Sequence, residues 1–188
     1  MEGSLPSYFE SPQAIALDTT STPNLVFVTD VDNFRVQVFD TAGISKGQFG
    51  YRIIYTPSTE TAWFARSEGL AVDVYSNIFI TDALMGTVRV FAFNGSAWKE
   101  VDPDNEPVIG YGTTPGKLRV PCDVMISGGK LYVADTNNAA VEVYNVTYPP
   151  GPAVAAAGPP REAVGRTAKE QWKRVADRNE GSYPLRAG

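Results

Sequence analysis

Three stretches of this chain align with one another. The first contains Pro12-Gln13-Ala14-Ile15-Ala16-Leu17-Asp18, Leu25-Val26-Phe27-Val28-Thr29-Asp30 and Arg35-Val36-Gln37-Val38-Phe39-Asp40. The second contains Glu68-Gly69-Leu70-Ala71-Val72-Asp73, Asn77-Ile78-Phe79-Ile80-Thr81-Asp82 and Thr87-Val88-Arg89-Val90-Phe91. The third contains Pro121-Cys122-Asp123-Val124-Met125-Ile126, Lys130-Leu131-Tyr132-Val133-Ala134-Asp135 and Ala140-Val141-Glu142-Val143-Tyr144. Asp30, Asp82 and Asp135 fall 52 and 53 residues apart. A fixed period of this length marks a stack of similar supersecondary units, each too small to bury its own apolar face.

Within a unit the period is two, so each segment reads as a strand. Ile15/Leu17, Leu70/Val72 and Val124/Ile126 share one face of a first strand. The second strand is apolar at nearly every position, as expected where both faces of a sheet are covered. The third alternates through Val36/Val38, Val88/Val90 and Val141/Val143. A fourth strand follows turn formers at Ile44 to Phe49 and Ser96 to Val101, whereas Pro149 and Pro150 follow the third strand of the last unit. Each unit is therefore a four-stranded antiparallel meander, and covered meanders repeated at this length predict propeller blades.

The runs Val26-Phe27-Val28-Thr29-Asp30-Val31-Asp32-Asn33-Phe34-Arg35-Val36-Gln37-Val38-Phe39-Asp40 and Leu131-Tyr132-Val133-Ala134-Asp135-Thr136-Asn137-Asn138 closely resemble the NHL repeat, a likeness covering residues 12 to about 146. The Asn and Arg of that pattern are present as Asn33 and Arg35, but Met85 and Thr87 replace them in the second unit, and Ala140 follows Asn138 in the third. The resemblance implies a six-bladed ring, of which three blades are half. The expected fold is all-β, a partial three-blade β-propeller. Two chains would pair to complete the ring, or the chain would be a piece of a longer propeller, or another protein would complete it.

Residues 1–148 read as the propeller segment, 149–160 as a linker rich in Pro, Gly and Ala, and 161–188 as a basic tail. Residues 1–160 hold 9 Lys/Arg against 17 Asp/Glu, and residues 161–188 hold 7 against 4. The acidic body would repel phosphate backbones, which excludes nucleic acid as its partner. In the tail, Val164, Ala168, Trp172 and Val175 line one face of an amphipathic helix over 161–178, which folds back onto the acidic body or docks on another protein, the narrow apolar face making a membrane surface the least favoured of three placements.

No run of about 18 apolar residues occurs, so no membrane span is expected. The first twenty residues, with Glu2, Glu10 and no Lys or Arg, do not resemble a secretory signal. Cys122 reads as a small buried hydrophobe and leaves the compartment open.

The recurring Asp30, Asp82 and Asp135 read as turn formers, each accepting hydrogen bonds from the turn that follows, rather than as metal ligands. The chain has no histidine, which removes the usual zinc ligand and the commonest general base. Amidating lyases of similar fold depend on histidine metal ligands, so the resemblance does not carry that activity here. No catalytic residue, metal or cofactor is expected. The alternative is a calcium-dependent hydrolase or lyase resembling the gluconolactonases, with an ion on the central axis.

The turns between second and third strands and the connections between blades should open on one end. That loop end would gather Asp32, Asn33, Phe34 and Arg35, then Tyr55, Trp63, Phe64 and Arg66, then Met85, and finally Asn137 and Asn138. Tyr, Trp and Arg on long loops of a rigid scaffold suit a binding surface for a protein or carbohydrate. Trp63 and Phe64 could equally plug the gap between blades.

Overall fold

The computed structural model describes residues 3, 5–52, 63–101 and 108–146. Blade 1 is a four-stranded antiparallel sheet in chain order: β1 (Pro12–Asp18), β2 (Leu25–Asp30), β3 (Arg35–Asp40) and β4 (Ser45–Phe49). A short parallel pair, β5 (Tyr51–Arg52) and β6 (Trp63–Phe64), follows. Blade 2 is again a four-stranded meander of β7 (Ser67–Val72), β8 (Ile78–Asp82), β9 (Thr87–Phe93) and β10 (Trp98–Glu100). Blade 3 has three strands among the described residues, β11 (Pro121–Ser127), β12 (Lys130–Asp135) and β13 (Ala140–Asn145). The linker, the tail and its four apolar residues lie outside the described residues. Among the described residues no helix is long and apolar enough to cross a membrane.

Local chemistry sets the hairpins. Between β1 and β2, Asp18 accepts from the Thr20 amide at 2.8 Å and the Ser21 hydroxyl at 2.5 Å. Between β7 and β8, Asp73 Oδ1 accepts from the amides of Tyr75 and Asn77, both at 2.8 Å. Asp40 and Asn94 do the same after β3 and β9. Such side-chain acceptors imitate a backbone turn. Blade 3 solves the first hairpin differently: Gly128 and Gly129 have φ of 57° and 74°, and Ser127 pairs with Lys130 across them. Two consecutive positive φ values define the turn whose twist matches the strands.

The blades pack face to face. Phe27, Val36, Val38 and Phe49 of blade 1 meet Leu70, Ile78, Ile80 and Phe91 of blade 2, with Phe64 between them. Trp98 stacks on Phe49 and meets Phe27 edge-on, with centroids 5.9 and 6.0 Å apart. Phe79, Val88 and Val90 on the other side of blade 2 meet Val124, Leu131, Val133 and Tyr144 of blade 3. Ile109, which bridges Val88, occupies in blade 2 the place that Phe49, opposite Val36, holds in blade 1. Both β10 and Ile109 therefore pair with β9 of blade 2.

The two outermost faces lack a neighbouring blade among the described residues. Ile15 and Leu17 are 70% and 51% exposed, while the equivalent Leu70 and Val124 in blades 2 and 3 are each 5%. On the far side of blade 3, Tyr132, Val141 and Val143 are only half-buried, whereas their counterparts Phe27, Val36 and Val38 are buried.

Candidate functional site

One end of the stack is organised by Asp30, Asp82 and Asp135, exposed by no more than 1%. Each closes a second strand and lies opposite the start of a first strand: Pro12 opposite Asp30, Ser67 opposite Asp82, Pro121 opposite Asp135. The carboxylates grip the chain entering each blade. Glu10 N–H donates to Asp30 at 2.7 Å, Ala65 and Arg66 donate to Asp82 at 2.7 and 3.0 Å, and Arg119 and Val120 donate to Asp135, both at 2.9 Å. Donors from the following turn, the expected partners, are present as well: Met85 N–H on Asp82, and the side-chain amides of Asn33 and Asn138 on Asp30 and Asp135. A buried carboxylate with several donors ties the turn and the linker into one rigid corner.

The turns of blades 1 and 2 are flanked by the chain that leaves the same blade. Gly50 approaches Phe34 so closely that a Cβ there would lie 2.9 Å from the Phe34 carbonyl and 2.5 Å from the Phe64 ring. Gly86, at φ 65°, would place a Cβ 2.6 Å from Tyr111. Phe34, Gly86 and Ala139 hold one equivalent left-handed position, with φ of 56°, 65° and 49°.

The expected site residues divide. Asp32 is exposed and contacts the Ser11 hydroxyl. Phe34 is half-buried, with the Arg52 guanidinium 5.0 Å from its ring centroid. Asn33 is half-buried and also donates to the Gly3 carbonyl at 3.0 Å. Arg66 is exposed and pairs with Glu68 at 2.5 Å. Met85 is 40% exposed beside Leu84 at 71%, and Tyr111 is 64% exposed. Asn137 is exposed, whereas Asn138 is half-buried and bonded to Asp135 at 2.7 Å. Trp63 is half-buried in β6, and Tyr55 lies outside the described residues.

Two expectations are corrected. Arg35 is 4% exposed and pairs with Asp30 at 2.8 Å, also donating to Gln48 and to the carbonyls of Leu5 and Tyr8, so it is structural. Phe64 is fully buried between blades 1 and 2 and is the plug, not a contact surface. Cys122 is half-buried rather than buried and borders a groove of about 440 Å³ between the first strands of the three blades, with Gln13, Glu68 and Asp123. Among the described residues no group of three or more His, Cys, Asp or Glu side chains could hold a metal ion.

Sequence reasoning missed Glu142 and Tyr144, both on the blade 2 side of β13. The available signal was a carboxylate at the position that Gln37 and Arg89 hold in the other units.

The class that these blades define is a partial β-propeller. No family model and no curated protein matches the sequence. A protein of unknown function from Bacteroides thetaiotaomicron is similar at 17% identity and TM-score 0.50, over 71% of this chain and 47% of that one. A catalytically inactive virginiamycin B lyase from Staphylococcus aureus is similar at 14% identity and TM-score 0.46, over 76% of this chain and 40% of that one. A gluconolactonase from Xanthomonas campestris is similar at 13% identity and TM-score 0.45, over 74% and 44% respectively. The chain spans less than half the length of each.

Proposed function

We propose that this chain is a non-catalytic propeller scaffold of the NHL-repeat type, binding a protein or carbohydrate partner through its loop end, with a second copy completing its ring. The observation that carries this reading is the contrast at that end. Three buried carboxylates hold the corners rigid, while Leu84, Met85 and Tyr111 are left outward. Exposed apolar and aromatic side chains on a preorganised frame lose little conformational entropy on binding.

The test screens the chain against peptide and glycan arrays, alongside a Leu84→Asp, Met85→Asp, Tyr111→Asp variant. Binders should be lost by at least tenfold in affinity with the melting temperature unchanged. Binders indifferent to all three substitutions would overturn the loop-end assignment.

The other reading is a calcium-dependent hydrolase or lyase, supported by the axial groove bordered by Glu68 and Asp123. Calcium and a chelator separate the two. The scaffold reading expects no thermal shift with either, whereas a stoichiometric, strongly stabilising ion would favour the enzyme.

A further inference from the structure

Position 142 departs from the pattern of its own repeat. The equivalent Gln37 donates its amide to Asp30 at 3.1 Å and to the Tyr8 carbonyl at 2.6 Å. The equivalent Arg89 donates to Glu100, on the fourth strand of its blade, at 2.8 and 2.5 Å. Glu142 is 4% exposed, yet its Oε2 has no hydrogen-bond partner among the described residues. Two residues on, Tyr144 is 1% exposed and its hydroxyl is also without a partner there. The corresponding residues of blades 1 and 2, Phe39 and Phe91, carry no polar atom at that place. Blade 3 alone sets a carboxylate and a phenol side by side. Native proteins rarely leave such atoms unmatched, and an unmatched oxygen of a buried carboxylate is more costly than that of a neutral group.

The neighbours of Glu142 make the need sharper. Burial raises its pKa, the Gly116 amide opposes that rise, and the buried Asp135 adds to it. Among the described residues no positive side chain enters this balance. In blade 2 the mate of Arg89 comes from β10, and beside β13 no fourth strand exists among the described residues. The backbone groups of Val88 and Val90 face the fourth strand, bonding Ile109 and Val101. By the repeat, Val141 and Val143 present theirs at the outer edge of β13, which pairs with no strand among the described residues.

We infer that the basic segment 161–178 of this same chain docks along the open edge of β13 and places a Lys or Arg side chain against Glu142 and Tyr144. The pairing repeats that of Arg89 with Glu100, with the charges exchanged between the edge and its cover. Residues 161–178 carry six Lys or Arg against three Asp or Glu, while the body is strongly acidic. A cationic head donates to the carboxylate and to the phenol oxygen together, matching both orphaned atoms. Covering an exposed edge with another segment also blocks pairing with a foreign strand. Glu142 and Tyr144 face blade 2, away from the outer face of Tyr132 and Val143. The docking therefore stands independently of loop-end binding and of pairing between copies.

The test uses the full chain. Trypsin should cleave between Arg161 and Arg178 at least tenfold more slowly in wild type than in Glu142→Gln, at equal melting temperature. Equal cleavage rates would overturn the inference. Protection that disappears on dilution would place the segment on a second copy and would also overturn it. Should Glu142→Gln fail to fold, the chain with Arg161, Arg166, Lys169, Lys173, Arg174 and Arg178 all changed to Gln reads the same contact from the other side. Its Val141 and Val143 amides should exchange at least tenfold faster than in wild type, and unchanged exchange would overturn the inference.

Discussion

At the residue scale, the three aspartates that end the second strands do more than shape a turn. Asp82 accepts from Ala65, Arg66 and Met85, so its removal leaves backbone donors on two separate segments without an acceptor in a buried corner. Asp82→Ala should cost about 3 kcal/mol by the usual penalty for buried unmatched groups. Asp32→Ala, on an exposed side chain in the equivalent blade 1 turn, should cost no more than about 0.5 kcal/mol. Urea titration of both variants checks this, and equal losses would contradict the corner mechanism. The sequence showed these aspartates at a constant interval but not their grip on the incoming linkers, because those partners lie 15 to 20 residues away in the chain. Arg35 misled for a related reason. An arginine beside a turn looks like a contact residue until the strand pairing sets it directly across from Asp30.

At the scale of elements, period two made the strands legible: β8 buries both faces and β12 one, while β1 keeps the alternation with Ala14 and Ala16 only half-buried. The fourth strands were harder to bound. In β4 only Phe49 is buried, so an exposed edge strand carries little pattern, and in blade 2 the described part of the strand, β10, is three residues long. The turns respond to acid unequally. Burial tends to raise the Asp18 pKa, but hydrogen bonds from Ser21, Thr20 and Ser76 outweigh it and hold the carboxyl below its usual range. Lys46 and the Ile44 amide hold Asp40 down as well. The unfolded chain then binds more protons than the folded one, so the stability these turns supply is present above the ordinary carboxylate pKa and is lost as pH falls through the depressed values. The Gly128-Gly129 hairpin carries no carboxylate. Hydrogen exchange between pH 6 and pH 3, corrected for intrinsic rates, should show the β1–β2 and β3–β4 hairpins loosening before β11–β12 (about the ordinary carboxylate range). Asp18→Asn should flatten the response at the first hairpin. Simultaneous loosening of all three would contradict this account.

At the scale of the whole molecule, repeat equivalence says what each outer face is shaped to meet. Ile15 and Leu17 hold the places where Leu70 and Val72 receive blade 1 and where Val124 and Ile126 receive blade 2. Tyr132, Val141 and Val143 hold the places that Phe27, Val36 and Val38 use to reach the next blade. The two faces are complementary by the logic of the repeat, and apolar faces of this kind mark an interaction surface. In the proposed pairing, two copies related by a two-fold axis along the channel would bring each blade 1 against the partner's blade 3 and close six blades. Light scattering coupled to gel filtration measures this directly. The account predicts a species of twice the chain mass, reduced to one chain mass by Ile15→Asp with Leu17→Asp while the β-sheet circular dichroism is retained. A folded wild-type protein that stays at one chain mass across a wide concentration range would contradict it.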